Sequence, residues 1–266
     1  MSYDLMVFEK GRAPAGKADF LKWYQEQTEW TEDHNYDDPA VSSPALQKFF
    51  NMVRGVFSPM DGRFAPEGKP GRDVPEEDRR CDYCIGKDVI YLSFSYSMAE
   101  WARDVVKRAA YFSNTGFFEP GEAFGPCFFA ENKPAHLEGE WFRPCVVTSF
   151  QEVEGKLAKM TAKNRSFLFL EDPIGNYIQV GGINNEFTVE VRRYTDPVNY
   201  EHRKAGYVSA RTESEVLKQQ CVFIGGNRVS VEPSQVLTMD TVIGLFRDFY
   251  NGTETMEMIS WTAMEL

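Results

Sequence analysis

Apolar residues along this chain alternate between two spacings, and each change of spacing marks an element. Tyr3 to Phe8 alternates weakly and reads as an opening strand. Lys17 to Gln27 then carries Phe20, Leu21, Trp23 and Tyr24 near helical spacing, which predicts a helix that lacks a Ser or Thr cap. Ser42-Ser43-Pro44 has the N-cap and N1 arrangement, and Leu46, Phe49, Phe50, Val53 and Phe57 follow at helical steps. From Ser58 to Arg80, Pro, Gly and charge outweigh apolar anchors, so a long exposed loop is expected. Val89 to Tyr96 reads as a strand. Ser97 with Glu100 predicts a capping box for a helix over Met98 to Tyr111, with Trp101, Val105, Val106 and Ala109 as its stripe. The first half is therefore β-α-α-β-α. Gly116 to Gly121 reads as its end, and Glu122 to Arg143 has the composition of a connector.

The second half repeats the logic with more strands. Thr148-Ser149-Phe-Gln-Glu152 opens a helix through Val153, Leu157 and Met160. A meander follows over Phe167 to Leu170, Tyr177 to Val180 and Phe187 to Tyr194, with Asp172-Pro-Ile-Gly175-Asn176 as its first turn. Tyr200 to Val208, Gln220 to Ile224 and Arg228 to Val231 read as further strands, and Gly225-Gly226-Asn227 as a tight hairpin turn. Val236 to Asn251 has a helical apolar period, and Gly252 stops it. Gly181-Gly182 reads as another hairpin turn, and Trp261 as a plug of the core.

With 266 residues, 42% of them hydrophobic and 14% aromatic, the chain can bury two modest cores. The expected fold is α+β, in two domains, each a mainly antiparallel sheet covered by helices: residues 1–125, a connector over 126–144, and residues 145–266. A net charge of -11 argues against nucleic acid, whose phosphates demand clustered Lys and Arg. No basic and apolar leader opens the sequence and no apolar run of about 18 residues occurs, so a soluble, cytoplasmic protein without a membrane partner is expected. Five cysteines cannot all pair, which makes reduced thiols the default.

Several of these residues together carry a resemblance. Leu168-x-Leu170 before Gly175-Asn-Tyr-Ile-Gln-Val-Gly-Gly182, the strand Phe187-Thr-Val-Glu190, and the ending Val236-Leu through Val242, Phe246 and Phe249-Tyr-Asn-Gly252 with Trp261 resemble the Imm1-type immunity proteins of bacterial polymorphic toxin systems. The resemblance covers roughly residues 145–266 and lies in packing and turns, not in a catalytic signature. Ser2 to Phe8 and Lys87 to Tyr96 are similar to N-terminal modules found beside such domains. The resemblance implies a cytoplasmic, non-enzymatic protein that binds a cognate toxin, often a deaminase, and occludes its active site. It implies no cofactor.

Candidate chemistry is concentrated in one acidic segment. Glu26, Glu29, Glu32, Asp33, Asp37 and Asp38 are interleaved with Trp30, His34 and Tyr36, and no Lys or Arg occurs between Trp23 and Gln47. Glu26, Glu29, Trp30, Glu32, Asp33, Tyr36, Asp37 and Asp38 are therefore the candidate toxin-binding residues, suited to a basic protein surface, against the alternative of a solvated loop. A second reading is a small hydrolase or metal-dependent enzyme built on Glu29, Asp33, His34 and Asp37, but the spacing fits no motif and Thr31-Glu32-Asp33-His34 lacks a paired imidazole. A third is an interaction module unrelated to toxins. Cys81-Asp-Tyr-Cys84 has no second pair for zinc and precedes a strand, so ordinary thiols are expected. With three histidines and no G-x-S-x-G, nucleophilic catalysis finds no template. Glu190 sits on the polar side of its strand, where pairing with a neighbouring Arg is favoured over contact with a partner.

Overall fold

The computed structural model describes residues 2–66, 79–121, 125–129, 135–160, 164–208 and 220–264. The chain is of the α+β class, its strands mostly antiparallel, and it divides into two compact units, Met1–Phe129 with Asp196–Val198, and Ala130–Thr195 with Asn199–Leu266.

In the first unit, β1 (Ser2–Phe8) is an interior strand of a five-stranded sheet, one in from its edge. It pairs antiparallel with β4 (Val89–Ser95) on one side and β5 (Gly116–Phe118) on the other. Outside β4 lie β3 (Arg80–Ile85), antiparallel, and the two-residue β2 (Ser58–Pro59), parallel to β3. Leu5, Val7, Ile90 and Leu92 point to α2 (Pro44–Val53) and α3 (Ala99–Ser113), which bury Phe49, Phe50, Val105 and Val106 against them. Met6, Phe8, Val89 and Phe118 point the other way, toward α1 (Lys17–Gln27), whose Phe20 is fully buried among them. Both faces of β1 are thus covered, which is why Leu5-Met-Val-Phe8 is continuously apolar and its alternation weak.

Several expectations for this half need correction. The exposed loop expected over Ser58 to Arg80 is bounded by strand residues at each end, with Pro59 buried and Phe64 packed on Phe50 at 5.3 Å; residues 67–78 lie outside the described residues. The capping box of Ser97 and Glu100 is not formed, because a 3-10 turn over Tyr96–Met98 makes Met98 the N-cap and the Ser97 hydroxyl meets that of Ser95 at 2.8 Å. Leu21, expected on the apolar face of α1, is 38% exposed. Gly116–Phe118 is not the end of the unit but an edge strand of its sheet.

The second unit is a seven-stranded antiparallel sheet and a separate hairpin. Its strands are β6 (Ala135–Gly139), β7 (Phe142–Val147), β8 (Phe167–Glu171), β9 (Tyr177–Ile183), β10 (Glu186–Tyr194), β11 (Tyr200–Tyr207) and, at the far edge, β14 (Ile259–Ala263), in the order β14-β11-β10-β9-β8-β6-β7. The hairpin is β12 (Gln220–Ile224) with β13 (Asn227–Val231), turned at Gly225 and Gly226, both with positive φ. One face of the sheet presents Leu168, Leu170, Ile178, Val180, Val189 and Val191 to α4 (Phe150–Leu157) and α5 (Met239–Asn251). The start of α4 is as expected, with the Glu152 carboxylate accepting from the Ser149 N–H at 3.2 Å.

Here too the sequence reading needs correction. The stretch 126–144, expected as a connector, contributes β6 and the first residues of β7 to the sheet. Gly181-Gly182 is not a turn but the interior of β9; the turn is Asn184-Asn185, with φ of 55° and 62°. The terminal helix begins at Met239 behind the Thr238 cap, because Leu237 is held extended by paired backbone bonds to Phe187 at 2.7 and 3.0 Å. Trp261 lies half-buried on β14, a strand that the sequence reading did not contain.

Gly182 is required by its backbone and its surroundings at once. Its φ is +145°, and a Cβ there would lie 2.1 Å from the Glu186 carbonyl oxygen. Gly182→Ala is expected to destabilise the protein by roughly 2–4 kcal/mol. Gly155→Ala, in the exposed middle of α4 with nothing within 4 Å of the new Cβ, is expected to stabilise it by about 0.5–1 kcal/mol. Urea denaturation of both variants checks the opposite signs.

Candidate functional site

The acidic segment takes its shape from the sheet beneath it. α1 covers the β1 and β5 side of its face through Phe20, which meets Phe8 at 5.0 Å and Phe118 at 4.9 Å. The β3 and β4 side of that face is left uncovered by the helix. There the alternation of both strands brings Asp82 and Cys84 beside Ser93 and Tyr91, their direct register partners. The chain leaving α1 returns over this gap and places Trp30 against Tyr91 at 5.9 Å and Tyr36 at 5.2 Å, both edge-on. Trp30 does so with φ at 51°, a left-handed conformation that a bulky side chain seldom adopts. Between helix, loop and strands remains an open cavity of about 280 Å³ lined by Tyr24, Thr28, Trp30, Asp82, Cys84, Tyr91 and Ser93.

The loop is pinned as well as folded. Tyr36 accepts from the Ile85 N–H at 2.8 Å, and the Glu32 carboxylate accepts from the Lys87 N–H at 3.2 Å, so the loop is tied to the β3–β4 turn at two points. Glu32 also holds His34 Nε2 at 2.6 Å. Asp38 is used locally, accepting from the Ala40 N–H at 2.9 Å and pairing with Arg63 at 2.8 Å. Of the candidate toxin-binding residues, then, Glu32 and Asp38 are engaged within the protein and Trp30 and Tyr36 are half-buried supports, while Glu26, Glu29, Asp33 and Asp37 project into solvent.

The enzymatic reading gains nothing from this geometry. His34 Nδ1 faces the Asn35 carbonyl at 2.8 Å and Nε2 faces Glu32. Both ring nitrogens are therefore engaged by acceptors within the loop, which favours the protonated ring and leaves neither nitrogen free to serve as a base. Its pKa is raised by the Asn35 carbonyl first and the Glu32 carboxylate second. Glu29, Asp33, His34 and Asp37 do not converge; among the described residues no three His, Cys, Asp or Glu side chains come together to hold an ion. Cys81 and Cys84 are separated by an odd step along one strand, so their thiols lie on opposite faces of the sheet, Cys81 in the core and Cys84 in the cavity. Burial first and Asp82 second push the Cys84 thiol up to about 11, which keeps it neutral and unreactive.

Tyr24, Asp82, Cys84, Tyr91 and Ser93 were absent from the sequence-derived site. The signal for them was the polar alternation of Tyr91 and Ser93 within the strand after Val89, which marks a face that the core does not use.

The second unit carries a different cluster on the sheet face opposite its helices. Glu190 accepts from Gln179 at 2.7 Å and pairs with Lys204 at 3.0 Å, and His202 lies 3.7 Å away. The expected partner was an Arg; the observed one is the Lys directly opposite in the β10–β11 register. Arg192 spends its charge on aromatic rings, with Tyr177 at 4.5 Å, and on the Gly175 carbonyl at 2.9 Å. Glu190 is thus engaged by Gln179 and Lys204, while the Arg192 Nε is buried without a hydrogen-bond partner among the described residues.

No protein-family model matches this chain, and no curated protein or solved structure is found to be similar to it. Among the described residues no helix is long and apolar enough to cross a membrane.

The raised pKa of His34 has a signed consequence. The pairing with Glu32 stabilises the fold below the ordinary imidazole value of 6.5 and is lost as pH rises through the higher folded value. His34→Gln is expected to flatten the fall in stability as pH rises above the ordinary imidazole value of 6.5. Urea midpoints across that range for the two proteins check it.

Proposed function

We propose that this protein is a cytoplasmic, non-enzymatic immunity protein that binds a cognate bacterial toxin with a basic surface and covers its active site. The observation that carries the reading is the pinned acidic segment: Glu26, Glu29, Asp33 and Asp37 are exposed around an aromatic support of Trp30, Tyr36 and Tyr91. Exposed carboxylates steer a basic partner and raise its rate of encounter. A loop already tied to the β3–β4 turn loses little conformational freedom on docking, so more of the contact energy is retained as affinity. The resemblance of residues 145–266 to immunity proteins supports the same class of function, with a deaminase-type toxin as its expected partner. The pairing of both His34 nitrogens weighs against a hydrolase.

Mixing the purified protein with a toxin encoded beside its gene is expected to give a complex on gel filtration and to abolish toxicity; neither outcome occurring sinks the reading. Glu29→Lys with Asp33→Lys is expected to slow association about tenfold at low salt and to weaken its dependence on ionic strength. Stopped-flow traces unchanged by the substitutions would move the interface elsewhere.

A further inference from the structure

The cavity beside β3 has a chemistry more specific than an acidic surface. Its walls are aromatic, from Tyr24, Trp30 and Tyr91, and its floor is a strand face bearing Asp82, Cys84 and Ser93. Burial and hydrogen bonds to Tyr24 and Asp4 hold the Tyr91 phenol far above its ordinary pKa, so it is a neutral ring. Asp4, on β1, is occupied by the Ser93 hydroxyl at 2.8 Å. Asp82 is different: it is exposed at the cavity, and among the described residues no cation or hydrogen-bond donor partners its side chain. Glu29, next in sequence to the lining residues Thr28 and Trp30, is exposed but does not itself line the cavity.

We infer that this cavity receives one lysine or arginine side chain presented by a protein partner, the aromatic walls taking the methylene stem and the cationic head meeting Asp82. The inference rests on the reading of the protein as a binder of a basic toxin, and it names the contact that such a toxin would make. Each part of the site selects for that occupant. Electron-rich ring faces attract a cation, most strongly those of Trp. A long cationic side chain buries its stem and keeps its head at a polar edge. An apolar side chain in the same place would desolvate Asp82 without compensation, and an anion would meet its carboxylate. The neutral thiol of Cys84 offers packing surface, not a nucleophile. The left-handed backbone of Trp30 is the strain that puts an indole at this wall.

The test uses the full chain with indole-nitrogen-labelled tryptophan, of which there are five, the Trp30 resonance being identified by its loss in Trp30→Phe. N-acetyl-lysine methylamide and N-acetyl-arginine methylamide are titrated against the uncharged N-acetyl-norleucine methylamide, which keeps the four-carbon lysine stem without the ammonium group. The cationic probes are expected to move the Trp30 resonance saturably at millimolar concentration, about three- to tenfold more tightly than norleucine. Asp82→Asn, at an exposed position, is expected to remove most of that preference. Equal response to norleucine, no saturable movement with any probe, or a preference that survives Asp82→Asn would overturn the inference. The titration contains no toxin, so its failure leaves the immunity reading standing, and failure to find a toxin complex leaves the selectivity of the cavity measurable.

Discussion

The position of Trp30 organises everything around the candidate site. Holding a non-glycine residue in the left-handed region costs about 1–2 kcal/mol, and edge-on aromatic contacts return about 0.5–1.5 kcal/mol each beyond their buried area. Trp30 makes two such contacts, with Tyr36 and Tyr91, so the turn is sustained by what the indole lands on. Glu32 on the Lys87 N–H and Tyr36 on the Ile85 N–H close the other side of the loop. An acidic stretch that repels itself is thereby held as a defined edge of the sheet, and the gap left by α1 becomes a walled cavity.

The two units place carboxylates on strand faces in opposite ways, and the contrast separates structural from available charge. Glu190 is surrounded by Gln179, Lys204 and His202, a set that leaves it little capacity for an outside partner. Asp82 stands on an equivalent strand position facing aromatic rings and solvent. A half-buried carboxylate paired with a lysine and an amide is committed within its sheet; one left facing a cavity keeps its charge for a ligand.

Much of the fold is legible in the residues. Lys17–Gln27 is a helix over the span that its periodicity indicates, Ser43 caps α2 ahead of Pro44, and the positive φ of Gly225, Gly226 and Gly252 falls where turn and cap chemistry demand it. What was not legible depends on distant partners. β3 is hidden because Arg80-Cys-Asp-Tyr-Cys-Ile85 follows a Pro- and Gly-rich stretch and alternates core with cavity, so it has no continuous apolar run. Val236-Leu237 carries a helical period but is drawn into a bridge with Phe187. β14 is an edge strand whose neighbour β11 lies far back along the chain, and β6 pairs with β7 as a hairpin inside a stretch whose composition resembles a connector. The acidic segment was visible as composition, but the conformation of Trp30 and the orientation of Asp82 are set by tertiary contacts.

The partner proposed for this protein would dock along the pinned acidic loop and the adjoining strands of the first unit. Hydrogen exchange of the protein alone and mixed with the toxin proposed as its partner tests this. New protection is expected to be confined to residues 26–38 and 80–93. Protection confined to residues 135–264, with the acidic loop exchanging as fast in the complex as alone, would contradict it.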